Sequence, residues 1–216
     1  MNTPLTDFQD ELIPSARENF DLPDAEITYF PSFFRSEDSE RLYDSLREKI
    51  EWTQNKIRFY GKESPVPRLE AWYGDEGMEY AYSGIKMSPK PWIDELLEIK
   101  KHIEPTASTK FNSVLINYYR DGRDRVAWHS DDEKELGPAP VIGSVSLGAE
   151  RKFKLRHKDY PRNGLKAEII LENGSYLLMK GTTQRFWKHE IPRTARPIEG
   201  RINLTFRVIN PACKGK

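Results

Sequence analysis

The sequence predicts one mixed domain in which a few helices precede a core made mainly of β-strands. Three observations support this prediction: the chain has 216 residues, helical periodicity is confined to its first half, and short alternating runs fill its second half. A chain of this length builds one sizeable core but is too short for two ordinary domains with linkers. Many short strands separated by turns are typical of a sandwich, a jelly roll or a small barrel.

The chain divides by composition into an extension and one domain. Residues 1–30 are acidic and contain three prolines, so we expect them to form an N-terminal extension over a domain spanning 31–212. Within that domain, residues 53–90 contain six aromatic residues and four glycines, more aromatic surface than a connector needs. We expect a lid of loops and hairpins there, followed by a β core over 106–210.

Two amphipathic helices are predicted ahead of the β core. Residues 36–52 begin with possible N-caps and an acidic first turn, and apolar residues then recur every four positions. Residues 89–104 show the same helical spacing, with Pro91 near the first turn, where proline is tolerated.

The β core is predicted from five runs that alternate or are rich in β-branched residues. Asn-Gly and Asp-Gly pairs, which favour tight turns, separate several of them. The runs cover residues 111–119, 141–149, 151–157, 167–180 and 201–209.

Composition excludes several protein classes. The one cysteine, Cys213, rules out a disulfide framework and fits a reducing compartment. No stretch approaches the ~20 apolar residues of a membrane span, and no signal peptide is evident at the first residues. We therefore expect a cytoplasmic protein, or a nuclear one if the source is a eukaryote.

The net charge of zero hides an asymmetry along the chain. Residues 1–50 carry five basic and twelve acidic residues, whereas residues 151–216 carry sixteen basic and five acidic residues. A basic C-terminal part favours a polyanionic partner such as nucleic acid.

The four histidines include a metal-ligand pattern. His129 and Asp131 are two positions apart in an extended segment, so their side chains point the same way. His189 follows after a later strand-like run. Two imidazoles and one carboxylate on one face of a metal form the facial triad of non-haem Fe(II) oxygenases, although an H-x-D pattern alone also fits an ordinary strand histidine.

Two arginines in the last strand-like run strengthen the metal interpretation. Arg201 and Arg207 are six positions apart, so they share one strand face with Asn203 and Thr205. Buried arginines need partners, and guanidinium groups match carboxylates bidentately. A ligand with two carboxylate ends, such as 2-oxoglutarate, accounts for both arginines, while pairing with acidic side chains of the fold is the alternative.

These motifs resemble a known enzyme family. The segments "NYYRDGRDRVAWHSDDE", "GSVSLGAERKFKLRHK", "WKHEIP" and "RINLTFR" are similar to those of the AlkB family of Fe(II)/2-oxoglutarate-dependent dioxygenases. The upstream segments "VPRLEAWYGD" and "YAYSG" resemble the members that repair alkylated DNA. The resemblance covers about residues 57–209.

The resemblance implies a fold, a metal site and a co-substrate site. The fold would be α+β but mainly β: a double-stranded β-helix, or jelly roll, with buttressing N-terminal helices and a nucleotide-recognition lid. His129, Asp131 and His189 would bind Fe(II). The residues that would bind 2-oxoglutarate are Asn117, Tyr119, Arg201, Asn203, Thr205 and Arg207.

The resemblance also implies an activity, namely oxidative demethylation of N-alkylated bases of the 1-methyladenine and 3-methylcytosine type. The enzyme would consume O₂ and 2-oxoglutarate and release formaldehyde, succinate and CO₂, repairing DNA by direct reversal. The expected partner is alkylated DNA, single- or double-stranded, with RNA left open, and the expected state is a monomer.

Substrate contacts are predicted in and beside the lid. Because a base inside a duplex cannot reach a buried iron, it must be flipped out or single-stranded. The resemblance places Tyr82, with Tyr80 nearby, against the base opposite His129. It places Asp132 where it would accept hydrogen bonds from the exocyclic amine or offset the charge of a methylated base, and a solvated loop acid is the alternative for Asp132. The aromatic residues Trp72 and Tyr73 would add stacking surface, and a hydrophobic cluster under the lid is the alternative for them.

A second hairpin, at residues 58–62, predicts contacts with a duplex. Phe59 and Tyr60 could enter the base stack as apolar wedges do, and Lys62 completes a Gly-Lys pair seen in the duplex-specific relative. A hairpin tip packed against the protein is the alternative, and other segments resemble the member that prefers single strands. Strand preference therefore stays open.

Two other functions remain as alternatives. A 2-oxoglutarate oxygenase acting on a protein side chain or small molecule would share the iron site but lack nucleotide contacts in its lid. A non-catalytic jelly-roll binding module would have a broken metal triad, whereas the triad in this sequence is complete.

Overall fold

Two antiparallel sheets face each other, and two long helices cover the outer face of the larger sheet. The computed structural model describes residues 17–59, 62–78, 80–82 and 85–210. Eight strands from the C-terminal half are divided four and four between the sheets, which is the jelly roll that the resemblance implies. The fold-class prediction is confirmed.

The strands are short, with three to seven residues each. They are β1 Glu18–Phe20, β2 Glu26–Phe30, β3 Lys56–Phe59, β4 Lys62–Pro65, β5 Leu69–Gly74, β6 Tyr80–Tyr82, β7 Ile85–Met87, β8 Ser113–Tyr119, β9 Val126–His129, β10 Ile142–Gly148, β11 Arg151–His157, β12 Lys166–Leu171, β13 Ser175–Lys180, β14 Trp187–Ile191 and β15 Arg201–Arg207. The helices are α1 Ser36–Lys49, α2 Asp94–Ala107 and two single turns, α3 Tyr160–Asn163 and α4 Thr183–Phe186, with a 3-10 turn at Lys134–Leu136.

The large sheet has seven strands in the order β1-β2-β13-β10-β15-β8-β5, and the small sheet has four in the order β12-β11-β14-β9. Two separate hairpins, β3–β4 and β6–β7, belong to neither sheet. One apolar cluster fills the space between the sheets, and a second lies between the large sheet and the helices.

Strand β15 shows how polar residues enter the interior. Ile202, Leu204 and Phe206 belong to the cluster beneath the helices. Because side chains alternate along a strand, Arg201 and Arg207 must point to the other face, toward the small sheet. Every residue of this strand is buried, since one face is covered by helices and the other by the small sheet.

Both long helices differ from their predicted bounds. Helix α1 ends at Lys49 because Ile50 is extended, so Trp52 lies outside it. Helix α2 begins at Asp94, later than predicted, because the backbone of Lys90 is hydrogen-bonded to Trp72 and Gly74 of β5 and is therefore extended. Pro91 thus precedes the helix.

The N-terminal segment is more than a covering extension. Within residues 1–30, strand β2 pairs antiparallel with β13 of the large sheet, and β1 pairs with β2. The sheet therefore begins before the boundary expected at residue 31. Likewise, β5 of the expected lid is an edge strand of the large sheet, paired with β8.

The turn after β10 lets α1 approach the sheet closely. Gly148 has φ +86°, and a Cβ atom there would lie 2.5 Å from the carbonyl oxygen of Gly200 and 2.8 Å from the ring of Tyr43. A backbone with positive φ and no room for a side chain accepts glycine alone. The absence of a side chain at Gly148 therefore lets the Tyr43 ring of α1 pack directly against the sheet.

Candidate metal and co-substrate site

The first two candidate metal ligands come from the end of β9. The Nδ1 atom of His129 lies 2.9 Å from the carbonyl oxygen of Ala127. Because a carbonyl only accepts hydrogen bonds, Nδ1 carries the proton and Nε2 is left to bind a metal. Asp131 follows in the loop, where its backbone N–H donates to Oε1 of Gln184 at 2.9 Å.

The third ligand stands on the neighbouring strand, β14. His189 is the cross-strand partner of His129, and the two ring centroids are 4.2 Å apart. Ligand atoms of His129, Asp131 and His189 all lie within 4.8 Å of one another. Phe153 stacks on the His189 ring at 5.0 Å and fixes its plane. The three residues predicted from spacing therefore form one metal triad.

The charge state of the triad suits a divalent metal. Burial acts to raise the pKa of the Asp131 carboxyl, but the charge of Arg207 and the two imidazoles outweigh it and hold that pKa below its ordinary value. Burial, together with His129, lowers the pKa of His189 to about 3. At pH 7 the triad thus offers a carboxylate and a neutral His189, the forms that bind metals.

Arg207, on the large sheet, holds the carboxylate of the metal ligand Asp131 in place. Its Nη2 donates a short hydrogen bond to Oδ1 of Asp131. The other oxygen, Oδ2, lies 3.8 Å from Nε2 of His189. The ion pair crosses between the two sheets and holds Asp131 in place at 2% exposure.

Arg201 is a buried cation with unsatisfied donors. It is 1% exposed, and its Nη2 donates to Oγ of Ser146 at 2.8 Å. Its Nε and Nη1 have no hydrogen-bond partner. Burial lowers the pKa of its guanidinium to about 10, so the group is still charged at pH 7. A buried charge without a partner is costly, which indicates that an anionic ligand completes this site.

All nine residues predicted for metal and co-substrate line one cavity between the sheets. Its open volume is about 580 Å³, including the part exposed to solvent. The predicted lining residues are Asn117, Tyr119, His129, Asp131, His189, Arg201, Asn203, Thr205 and Arg207. A metal triad and an unsatisfied guanidinium in one cavity fit Fe(II) and a dicarboxylate such as 2-oxoglutarate.

Polar partners on the large sheet orient the rest of the cavity wall. Asn203 donates from Nδ2 to Oγ of Ser144 at 2.8 Å, and Thr205 donates to Oδ1 of Asn203 at 3.2 Å. Asn117 accepts at Oδ1 from Nε of Arg68 at 2.8 Å. This bond leaves the Nδ2 donors of Asn117 for a ligand.

Sequence reasoning missed three polar residues of this site. Arg68 lines the cavity and pairs with the buried carboxylate of Glu70. Ser144 and Ser146 bond to Asn203 and Arg201 from β10. The i, i+2 spacing of the two serines was a usable signal, because it puts both hydroxyls on one strand face.

The predicted aromatic surface of Trp72 and Tyr73 is not one surface. The two residues are neighbours on β5, so they point to opposite faces of the large sheet. Trp72 joins the cluster between the sheets, on the cavity side. Tyr73 lies in the cluster beneath the helices at 3% exposure, so the expectation that it contacts substrate is wrong.

Asp132 is exposed to solvent next to the metal ligand Asp131 and carries an ion pair. Its side chain is 55% exposed, and Oδ2 accepts from Nζ of Lys158 at 2.8 Å. The carboxylate follows Asp131 directly in the chain, so it is close to the metal triad and reachable from solvent.

The remaining substrate candidates lie on the two hairpins. Tyr80 and Tyr82 belong to β6, Phe59 to the end of β3, and Lys62 to the start of β4. Their side chains, and the whole of Tyr60, lie outside the described part of the structure. Their contacts therefore stay predictions.

Comparisons with known proteins agree with this site. Residues 26–207 match the model of the 2OG-Fe(II) oxygenase superfamily. The chain is 39% identical over 196 residues to a mouse protein named "Alpha-ketoglutarate-dependent dioxygenase alkB homolog 3", covering 88% of this chain and 68% of that one. It is 39% identical over 184 residues to the human "DNA oxidative demethylase ALKBH2", covering 82% and 70%.

Two further matches are more distant in sequence. An Arabidopsis thaliana protein also named "DNA oxidative demethylase ALKBH2" is 33% identical over 221 residues, covering 90% of this chain and 70% of that one. A solved structure titled "The structure of OsALKBH1" superposes with a TM-score of 0.60 at 16% identity, covering 84% and 96% of the two chains. At that identity the structural match supports the fold alone. None of the described helices is long and apolar enough to cross a membrane.

Proposed function

Since this chain belongs to the AlkB family within the 2OG-Fe(II) oxygenase superfamily, we propose that it removes alkyl groups from base nitrogens in DNA by oxidation. The observation that carries this proposal is one cavity holding a metal triad and an unsatisfied buried guanidinium. A relative at 39% identity that is named for oxidative demethylation of DNA supports the choice of substrate.

The protein is an Fe(II)- and 2-oxoglutarate-dependent dioxygenase. When bound, iron and 2-oxoglutarate supply the oxidation by O₂ that converts an N-methyl group into formaldehyde, with succinate and CO₂ as co-products. The chain itself supplies the ligands, the orientation of both groups and a cavity between the two sheets.

Each residue that lines the cavity has a binding role set by its position in the fold. We propose that Arg201 pairs with the far carboxylate of 2-oxoglutarate through its two unsatisfied donor atoms. Asn117 and Tyr119 contact the same ligand from β8, with the amide of Asn117 oriented by Arg68. Arg207 holds Asp131 through Oδ1, so that Oδ2 would be left to bind the metal.

The substrate base must leave its stack before it reaches the buried triad. We propose that Tyr82 stacks on the base opposite His129, with Tyr80 and Trp72 nearby. The carboxylate of Asp132 would accept hydrogen bonds from an exocyclic amine or offset the charge of a methylated base. Its pair with Lys158 is half exposed and therefore inexpensive to exchange for a ligand.

We propose alkylated DNA, single- or double-stranded, as the substrate of a monomeric enzyme, with methylated RNA as a further substrate to be tested. The enzyme would act in the cytoplasm, or in the nucleus of a eukaryotic cell.

A direct assay tests this function. The iron-loaded protein is incubated with 2-oxoglutarate and with single- or double-stranded oligonucleotides that contain 1-methyladenine or 3-methylcytosine. The mass of each oligonucleotide is then measured by mass spectrometry. We expect a loss of about 14 Da per lesion.

An Asp131→Ala variant is the matched control, and it should lose the reaction because one of three metal ligands is gone. Unchanged masses for every methylated oligonucleotide with the wild-type protein, while 2-oxoglutarate is still consumed, would indicate a protein or small-molecule substrate instead.

A further inference from the structure

Another buried arginine, besides those that line the cavity, lies near its co-substrate end. Arg151, the first residue of β11, is 3% exposed. Among the described residues, no carboxylate lies within ion-pair distance of it. The nearest acids, Asp121 and Asp124, are already bound to Arg123 and Arg120. Arg151 is therefore a buried cation that carbonyl groups satisfy in part.

The hydrogen bonds of Arg151 join two loops that lead to the site. Its Nη2 donates to the carbonyl oxygens of Asp124, at 2.8 Å, and Pro192, at 2.6 Å. The first loop runs from β8 to β9, the strand whose last residue is His129. The second runs from β14 to β15, joining the strand of His189 to Arg201. Both loops are thus held at the same guanidinium.

Arg151 is linked to Arg201 by one aromatic ring. The guanidinium carbon of Arg151 lies 5.4 Å from the ring centroid of Tyr119, and that of Arg201 lies 5.2 Å from the same centroid. Both distances are within the range of cation–π interactions. Tyr119 and Arg201 line the cavity, whereas Arg151 does not, so any effect of Arg151 on a ligand passes through Tyr119 or through its charge.

Two buried like charges on one ring favour an anion beside them. Burial is the largest cause of the lowered pKa of Arg201, and the charge of Arg151 lowers that pKa further. A far carboxylate placed on Arg201 relieves this repulsion, whereas an uncharged ligand end does not.

We propose that Arg151 is a positioning residue for 2-oxoglutarate, which fixes Tyr119 and adds a second buried positive charge behind Arg201. It thereby selects a keto acid with a far carboxylate over one without. The proposal concerns co-substrate binding and holds whatever the alkylated substrate is.

The test compares two keto acids on protein loaded with Zn²⁺, which does not turn over. The ligands are 2-oxoglutarate and 2-oxobutanoate, which keeps the keto-acid end but lacks the far carboxylate. Dissociation constants come from the rise of the melting temperature with ligand concentration. The readout is the ratio of the two constants, because partial unfolding of a variant weakens both ligands by the same factor.

We expect Arg151→Gln to weaken 2-oxoglutarate binding about tenfold and 2-oxobutanoate binding less than twofold. Arg151→Lys keeps the charge but loses the paired carbonyl bonds, so its loss for 2-oxoglutarate should be about threefold. A Lys152→Gln variant, which removes the adjacent exposed charge paired with Glu168, should match the wild type.

Either of two results would overturn the proposal. An equal loss for both keto acids in Arg151→Lys would mean that Arg151 only holds the fold. Wild-type affinity for 2-oxoglutarate in Arg151→Gln would mean that its charge does not reach the ligand. Because Arg151→Lys keeps the buried cation, the test remains available if Arg151→Gln does not fold.

Discussion

At the scale of single residues, unsatisfied hydrogen-bond donors show where a ligand belongs. Arg201 is as buried as the leucines around it, yet two of its three nitrogens have no partner. Folding alone would favour an apolar residue at this position, because unpaired buried charges destabilise proteins. The residue is explained by what it binds.

Replacing Arg201 should separate co-substrate binding from the metal site. Arg201→Met removes a charge-assisted pair of hydrogen bonds in a buried site, which is worth roughly 2–5 kcal/mol. We expect the concentration of 2-oxoglutarate needed for half-maximal activity to rise at least thirtyfold, while Zn²⁺ affinity stays within twofold. Equal dependence on 2-oxoglutarate in both proteins would place the far carboxylate elsewhere.

At the scale of elements, the approach of α1 to the large sheet depends on one glycine. Gly148→Ala would require a positive φ in alanine and push its Cβ against the carbonyl of Gly200. We expect the free energy of unfolding to fall by about 3 kcal/mol, measured by urea denaturation.

Gly164 is the matched control for this substitution. It also has positive φ, +66°, but a Cβ atom added at this glycine would have nothing within 4 Å of it. Gly164→Ala should therefore cost only about 1 kcal/mol, from backbone strain alone. Equal losses in the two variants would show that close packing at Gly148 contributes nothing.

The two hairpins should contribute differently to activity. If Phe59 and Tyr60 replace a flipped base in the stack, their double replacement by alanine should reduce repair of double strands and spare single strands. Tyr82→Ala removes a stacking face for the base itself, worth ~1–3 kcal/mol, and should reduce both activities. The assay measures the loss of the lesion from matched single- and double-stranded oligonucleotides. Equal losses for the double variant would assign β3–β4 to the pocket or the core.

Sequence periodicity predicted the helices and strands better than it predicted which strands pair with each other. The five runs of the β core and the metal triad were recognisable because alternation and i, i+2 spacing are local properties. The pairing of β2 with β13 joins residues some 150 positions apart, and no local pattern reports it. Period two also assigns Trp72 and Tyr73 to opposite faces, but only the helices over the large sheet decide which face is closed to substrate.

At the scale of the whole molecule, the charge asymmetry of the sequence becomes a surface. Lys166, Arg156 and Lys188 are cross-strand neighbours on the small sheet, and their inward-facing neighbours on β11 are buried. No carboxylate of the described residues pairs with any of the three. Like charges directly opposite one another destabilise a sheet, so this row favours a polyanion outside the protein.

The row predicts how nucleic-acid binding responds to salt. Each phosphate contact contributes about 0.7 to the slope of log affinity against log salt for single strands. Lys166→Ser/Lys188→Ser should therefore lower that slope by about 1.4, measured by fluorescence anisotropy with a methylated oligonucleotide. Lys49→Ser/Lys110→Ser, which removes two charges paired with acids near the helices, should leave it unchanged. An unaltered slope in the first variant would remove the small sheet from the binding surface.

The division of the site between two sheets determines how the sheets can come apart. His129 and His189 stand on the small sheet, whereas Arg201 stands on the large one. A metal ion joins β9 to β14 within the small sheet, and the ion pair of Asp131 with Arg207 already links that site to the large sheet. A co-substrate bound to that metal and to Arg201 adds a tether across the interior, so separation of the sheets must first release a ligand. Backbone amides of the small sheet should then exchange with deuterium most slowly when both ligands are present, by more than the two separate effects combined.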